Sequence, residues 1–455
     1  RTLITAASIF FAVFFALVMR SFQLGTYDSM YKNVIESYTG YIQIQHQDYT
    51  EEPILDNSFR ADPELFVNVK LDPNVTDLVP RLESYALAAS GSRTQGVMVL
   101  GVDPVKEDKL SDLKNRLVKF RLTDSAVEAL KDAELPDRTR RLLDLFRNES
   151  WSSTGRMMLD LGISAEDSSA VLPVMRKHAS FSNNYLSDSV PDGVLIGSGL
   201  SDYLKVNVGD TIVLMGQGYH GATAAGLYIV KGIVRMPQPE IDNRFVYLTL
   251  DDARYLYAAP GMATSAIISV RDTEDNDLIM TRNRLGQITG DGLAIRTWKE
   301  MNALLLNQME ADNKSGAIMI GILYLVIAFG VFGTVLMMMA ERRREFGMLV
   351  SIGMQRSRLA KVISMEMLLV GFLGVAAGVA GSLPIVFLGY ARPLRFTGEM
   401  AKMYEDYGFD PVMPMLLPDT YYLWQVVIVL LILLIAITFS VRKIFKMNVI
   451  NAIRA

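Results

Sequence analysis

No cysteine occurs among the 455 residues. A disulfide framework, a thiolate metal site and a thiol nucleophile are thereby excluded, although no compartment is identified. Histidine is nearly as scarce. His46, His178 and His220 are the complete set, and they lack metal-ligand spacing. No GxxxxGK followed by Ser or Thr is present, so the chain does not itself bind ATP through a phosphate loop. Low-complexity tracts and internal repeats are missing too. Lys and Arg do not gather into a nucleic-acid patch; their clusters border apolar runs. The formal net charge of −4 hides that arrangement.

What the chain has is apolar sequence, half of its residues, concentrated in four runs. Residues 2–19 are rich in Phe, Ala and Val. Residues 315–340 and 367–390 carry no charge over about 26 and 24 residues, and residues 421–441 form a fourth run of about 21. Each reaches across a hydrocarbon core of about 30 Å as a helix rising 1.5 Å per residue. The first run is expected to be a span and not a signal peptide, because no small-residue cleavage motif follows it. The abrupt start at Arg1 suggests that a few basic residues precede it. The short basic segments are 341–361 and the tail with Arg442, Lys443, Lys446 and Arg454. Both belong on the cytoplasmic side, which places the N-terminus inside and residues 21–314 and 391–420 outside.

The expected fold class is a membrane protein with four transmembrane helices and a large α+β extracytoplasmic domain inserted between helices 1 and 2. The spans are 1–20, 315–340, 362–390 and 421–441. Between them come the domain (21–314), a cytoplasmic segment (341–361), an outside loop (391–420) and a cytoplasmic tail (442–455). A stretch of about 290 residues is too long for a loop and must fold. Its ends, 21–37 and 298–313, carry apolar positions at helical spacing and suggest a stalk. Strands are expected at 41–47, 85–87, 96–102, 194–196, 211–215, 227–234, 245–249 and 266–270, with a helix around 75–83. These make a core α+β lobe of 38–104 and 190–297. The polar, helix-rich stretch 105–189 reads as an inserted helical lobe.

Gly216, Gly218 and Gly221 complete a GxGxxG, but another strand follows, not a helix, so a dinucleotide site is not supported. A hairpin tip with Tyr219 and His220 fits better, and having little to bury it should protrude and meet a partner protein or merely connect strands. Ser198, in Ile196-Gly197-Ser198-Gly199, lacks a full nucleophile elbow and a His partner. Gly371, Gly374, Gly378 and Gly381 suggest a close-packing face on the third span. Glu366 lies near the cytoplasmic border, where Arg358 or Lys361 can pair with it. Phe10, Phe11, Phe14 and Phe15 on the first span, with Gly316, Gly321, Gly330 and Gly333 on the second, suggest a dimer face and the mouth of any substrate cavity. Phe346, Leu349, Val350 and Ile352 fall near one side of a short helix that Gly353 can end. That helix either lies on the membrane or presses into a groove on a cytoplasmic motor.

The segment Glu341-Arg342-Arg343-Arg344-Glu345-Phe346-Gly347-Met348-Leu349-Val350-Ser351-Ile352-Gly353 resembles the ERxREIGxLxAxG coupling segment of the FtsX-like permease family, the membrane subunits of MacB- and LolC/LolE-type ABC transporters. Met365-Glu366-Met367-Leu368-Leu369-Val370-Gly371 is similar to the LEALLLG that follows it. The tail Asn448–Arg454 stands where the family has P-x-E-A-L-R. The stretches 194–200 and 204–211 and the order of elements add support. The resemblance implies a dimeric, non-enzymatic permease in a bacterial inner membrane, with its large domain in the periplasm. It implies a second permease protomer and a LolD-like ATPase that holds ATP and Mg, with no cofactor or metal in this chain. LolC/LolE-type lipoprotein releasers fit best in size and layout. Their hook, which meets a carrier protein, corresponds to residues 215–226, here Gly- and Ala-rich and without proline. The resemblance therefore implies ATP-driven extraction of a lipoprotein or other amphiphile. Activation of a periplasmic hydrolase or sensor by transmitted motion is the alternative.

Overall fold

The computed structural model describes residues 2–164, 166–187, 193–396, 400, 403–404 and 412–446. The tail motif 448–454 lies outside the described residues, as does much of the loop 391–420. The chain divides into two compact units. One comprises residues 1–29, 304–394 and 412–455. The other comprises 30–303 and 395–411.

Four of the described helices, which make up most of the first unit, are long and apolar enough to cross a membrane: Ala6–Val34, Ala303–Gly333, Arg356–Ala391 and Thr420–Phe439. The first belongs to a helix of Thr2–Val34 and the second to one of Ala303–Glu341. At 39 residues the second is about 58 Å long, well beyond a hydrocarbon core. Where the excess length begins, polar side chains join it to the first helix. Arg20 donates to Asn313 Oδ1 (2.8 Å) and Tyr27 donates to Asp312. The stretch 298–313, expected as one helix, is two. Trp298–Met301 opens on a Thr297/Glu300 capping box, and Asn302 separates it from the long helix.

The second unit is built on a nine-stranded sheet. Its strands are β1 (Ile42–His46), β2 (Val75–Ser90), β3 (Arg93–Val102), β4 (Val194–Gly197), β5 (Thr211–Gln217), β6 (Thr223–Val234), β7 (Phe245–Thr249), β8 (Ser265–Val270) and β9 (Leu293–Thr297). The order is β9-β1-β8-β2-β3-β7-β4-β6-β5, and β5 pairs back onto β2. Six strands therefore close into a ring that leaves no free edge among them. Its interior holds Leu82, Val99, Ile196, Ile212, Val230 and Val246, all fully buried. The helix expected over 75–83 is instead part of β2. Leu78 to Leu82 are all buried, so the strand lacks the alternation that would have marked it.

Arg81 in that run is fully buried and forks onto Glu107 (Nε–Oε2 2.9 Å). Asp103 accepts from the N–H groups of Val105 and Lys106 and so caps the Pro104–Ser111 helix that presents Glu107. The helical lobe is narrower than 105–189. Its own core runs from Phe120 to Ala179 and includes Val127, Leu143, Trp151 and Met157. Leu113, Val118 and Leu186 pack with the barrel instead.

Candidate functional site

The basic segment folds as a helix of Arg343–Ser351, set off from the preceding helix, which ends at Glu341, by the turn residue Arg342. Its C-terminus is a Schellman cap. Gly353 adopts φ +106°, its N–H donates to the Val350 carbonyl (3.1 Å), and Met354 N–H reaches back to Leu349 (3.0 Å). The cap requires glycine and fixes where the chain turns toward the next apolar helix. Arg342, Arg343, Arg344 and Glu345 are exposed.

The expected apolar face is split. Phe346 and Gly347 are buried, and Phe346 and Val350 pack into the core of the helical unit. Met348 and Leu349 are exposed, and Ile352 is 84% exposed. The helix thus has an anchoring side and an offering side, and Phe346 belongs to the first. Glu366 pairs with Arg342 (3.1 Å), not with Arg358 or Lys361. That contact ties the start of the segment to the third long helix. A second tie runs from Arg356 Nη1 to the carbonyl of Phe445 (2.6 Å).

The phenylalanines of the first helix also divide. Phe10 and Phe14 stack with ring centroids 5.7 Å apart, and the third long helix lies against them at Gly381. Phe11 and Phe15 stack on each other, meet Phe10 and Phe14 edge-on, and are each 53% exposed. A Cβ at Gly374 would lie 2.8 Å from Ile9 Cβ, and one at Gly378 would lie 2.8 Å from Val13 Cβ and 3.0 Å from the Phe10 carbonyl. On the second helix, a Cβ at Gly321, Gly330 or Gly333 would meet nothing within 4 Å. Ile318, Ile322, Leu325, Val326 and Phe329 are exposed beside them. Of the proposed dimer residues, Phe10, Phe14 and Gly316 are therefore occupied within the chain, Gly316 by Gln23 of the first helix, while Phe11, Phe15, Gly330 and Gly333 are exposed.

The β5–β6 tip does not protrude. Tyr219 N–H donates to the Tyr257 carbonyl (2.8 Å), and a Cβ at Gly218 would lie 2.6 Å from the same oxygen. His220 N–H donates to Asp56 Oδ1 (2.8 Å), and its Nδ1 lies 3.4 Å from that carboxylate. His220 and Gly221 both take positive φ, which turns the tip back. Gly216 lies against the Tyr85 carbonyl because β5 pairs with β2. Tyr219 packs on the barrel core. The exposed apolar surface is the hairpin's flank: Met215, Leu227 and Ile229, with Tyr85 and Leu87 alongside. Register places Leu87 opposite Met215, so this patch is continuous across strands. Sequence alone hides it, because Tyr228 and Val230, the inward neighbours of Leu227 and Ile229, are apolar as well.

Residues 317–449 match the FtsX-like permease C-terminal family. The lipoprotein-releasing system transmembrane protein LolC of Neisseria meningitidis is 23% identical over 193 residues, 41% of this chain and 46% of that protein. The macrolide export ATP-binding/permease protein MacB of Hyphomonas neptunium is 28% identical over 203 residues, 43% of this chain and 30% of that protein. The matched part spans less than half the length of either. The periplasmic region of MacB from Actinobacillus actinomycetemcomitans matches over 61% of this chain and 98% of its own length, at 9% identity and a TM-score of 0.32. The matched residues 317–449 include the Arg343–Ser351 helix, and the chain is similar in sequence to the FtsX-like permease C-terminal family and to LolC and MacB.

Proposed function

We propose that the chain is the non-catalytic permease subunit of an ABC transporter of LolC/MacB type in a bacterial inner membrane. In this reading the Arg343–Ser351 helix lies in the cytoplasm and fits a groove on a separate ATPase, which holds ATP and Mg. Closure of the ATPases displaces the helix, and the long helices pass the motion to the outer unit. A second protomer packs on the outward faces of the first two long helices. The substrate is a lipoprotein or another amphiphile drawn from the outer leaflet, and the flank of the β5–β6 hairpin is the surface offered to a periplasmic partner.

The observation that supports this best is the two-sided coupling helix. Phe346 anchors it, while Met348, Leu349 and Ile352 are exposed among cationic residues. An interfacial helix would also expose apolar residues, so the test must address the motor. Met348→Asp with Leu349→Asp should abolish permease-stimulated ATP hydrolysis in a reconstituted complex while the protein remains inserted. A carboxylate buried unpaired in such a groove costs several kcal/mol. Unchanged stimulation would sink the reading. Close packing of the third helix on the first at Gly374 and Gly378 favours a second reading, in which the same motion activates a periplasmic enzyme or sensor. Lipoprotein release assayed from proteoliposomes separates the two, since pure mechanotransmission releases nothing.

A further inference from the structure

The helical lobe is held by more than its own chain ends. Arg395 follows the third long helix, separated from its last residue, Ala391, by Arg392, Pro393 and Leu394. Its guanidinium lies 2.6 Å from Asp160 (Nη1) and 3.0 Å from Glu149 (Nη2), and sits over the Phe146 ring at 5.8 Å. All three partners belong to the helical lobe, and Asp160 lies 235 positions earlier in the chain. Asp160 also accepts from Trp151 Nε1 (2.9 Å) and pairs with Arg156 (3.3 Å). Glu149 is shared with Arg235, the residue after β6 (3.0 Å), which in turn pairs with Asp242 (3.3 Å). Three cations and three carboxylates thus alternate through one network. Burial by itself would raise the Glu149 carboxyl, but Arg235 and Arg395 outweigh it and hold it below its ordinary value.

This is not a surface ion pair. The side chains of Arg395 and Asp160 are 13% and 5% exposed. Exposed pairs add little, whereas removing one member of a buried, forked pair strands the others. The tether is also short. Four Cα steps from Ala391 to Arg395 span at most about 14 Å, and Pro393 fixes one φ within them. A link of that length passes on displacement that a long flexible linker would absorb.

We propose that Arg395 is a mechanical tie. It fixes the chain leaving the third long helix onto the helical lobe, so displacement of that helix's end reaches the lobe without passing through the sheet. The proposal rests on the transmission of motion described above. The test is amide hydrogen exchange on the whole chain in nanodiscs. Arg395→Ala should speed exchange in the Thr154–Asp160 helix by roughly tenfold, as expected for one lost buried pair. Arg395→Lys, which keeps the charge but not the fork, should fall between. The Leu250–Leu256 helix of the barrel lobe should not change. A lobe indifferent to Arg395→Ala, or protection lost throughout the unit, overturns the tie. The cysteine-free chain allows a rescue. Arg395→Cys with Asp160→Cys, bridged by a short bifunctional thiol reagent, should restore protection. In complex with the ATPase, a nucleotide-dependent change in the lobe should vanish in Arg395→Ala and return in the bridged variant. Persistence of that change in Arg395→Ala overturns the proposal alone. Absence of any nucleotide response anywhere in the native chain overturns the functional reading, and the proposal with it.

Discussion

The second and third long helices both carry spaced glycines and use them differently. On Arg356–Ala391, side-chain atoms of the first and fourth helices occupy the space that a Cβ would take at Gly371, Gly374, Gly378 and Gly381. On Ala303–Glu341, Gly321, Gly330 and Gly333 border open space. In lipid no hydrophobic force separates a helix-facing from a lipid-facing position, so both faces are equally apolar in sequence. Close approach is what distinguishes them. The glycines of the third helix pack within this chain, and so does Gly316 of the second, where a Cβ would run into Gln23, whereas Gly321 and Gly333 are exposed.

That contrast breaks first under overpacking. Gly378→Leu drives a side chain into Val13 and the Phe10 carbonyl and should cost about 3 kcal/mol. Unfolding of the purified protein in graded SDS would show the loss. Phe10→Ala should cost less, about 1–2 kcal/mol, because in lipid it forfeits mainly dispersion contacts. Phe11→Ala, one position away, should stay within about 0.5 kcal/mol in the same titration. If Phe10 and Phe11 prove equivalent, the two faces of the first helix are not distinct. Gly330→Leu with Gly333→Leu should leave SDS unfolding of the protomer within about 0.5 kcal/mol. The same change should abolish cross-linking between protomers through cysteines placed on the outward faces. Intact pairing would remove the second helix from the interface.

The unit built on the nine-stranded sheet follows the opposite rule, since its burial selects polar partners. Burial pushes the Glu83 carboxyl up, only partly offset by Arg81 and by the Tyr38 hydroxyl, which donates to it (2.7 Å). The folded state therefore holds this proton more tightly than the unfolded state. The stability it contributes is complete below the ordinary carboxylate range and is lost as pH rises through the raised folded value. Glu83→Gln should flatten that part of the stability profile above about pH 4. This is the smallest of the effects, read by urea denaturation of the sheet-based unit across pH.

Much of this architecture is legible in the sequence for one physical reason. Lipid demands long uncharged runs, and no other solvent does. The Schellman glycine at 353 is legible too, because only its backbone freedom permits the turn. Other features depend on segments far apart in the chain. Phe346 and Ile352 are equally apolar, and only packing shows that the first is an anchor. Val75–Ser90 has Leu78, Val79 and Leu82 at helical spacing, although it is a strand buried on both faces over residues 78–83. The hairpin tip looks free until Asp56 and Tyr257 are brought to it. Arg395 resembles any loop cation until Asp160 arrives from 235 positions away.

The central claim is that the Arg343–Ser351 helix has an inner side and a motor-facing side. Photo-crosslinking from single positions in the assembled complex tests it most directly. A photoreactive residue at Met348, Leu349 or Ile352 should capture the ATPase, and one at Phe346 should capture only the permease itself. Equal capture from Phe346, or none from Ile352, would contradict the account.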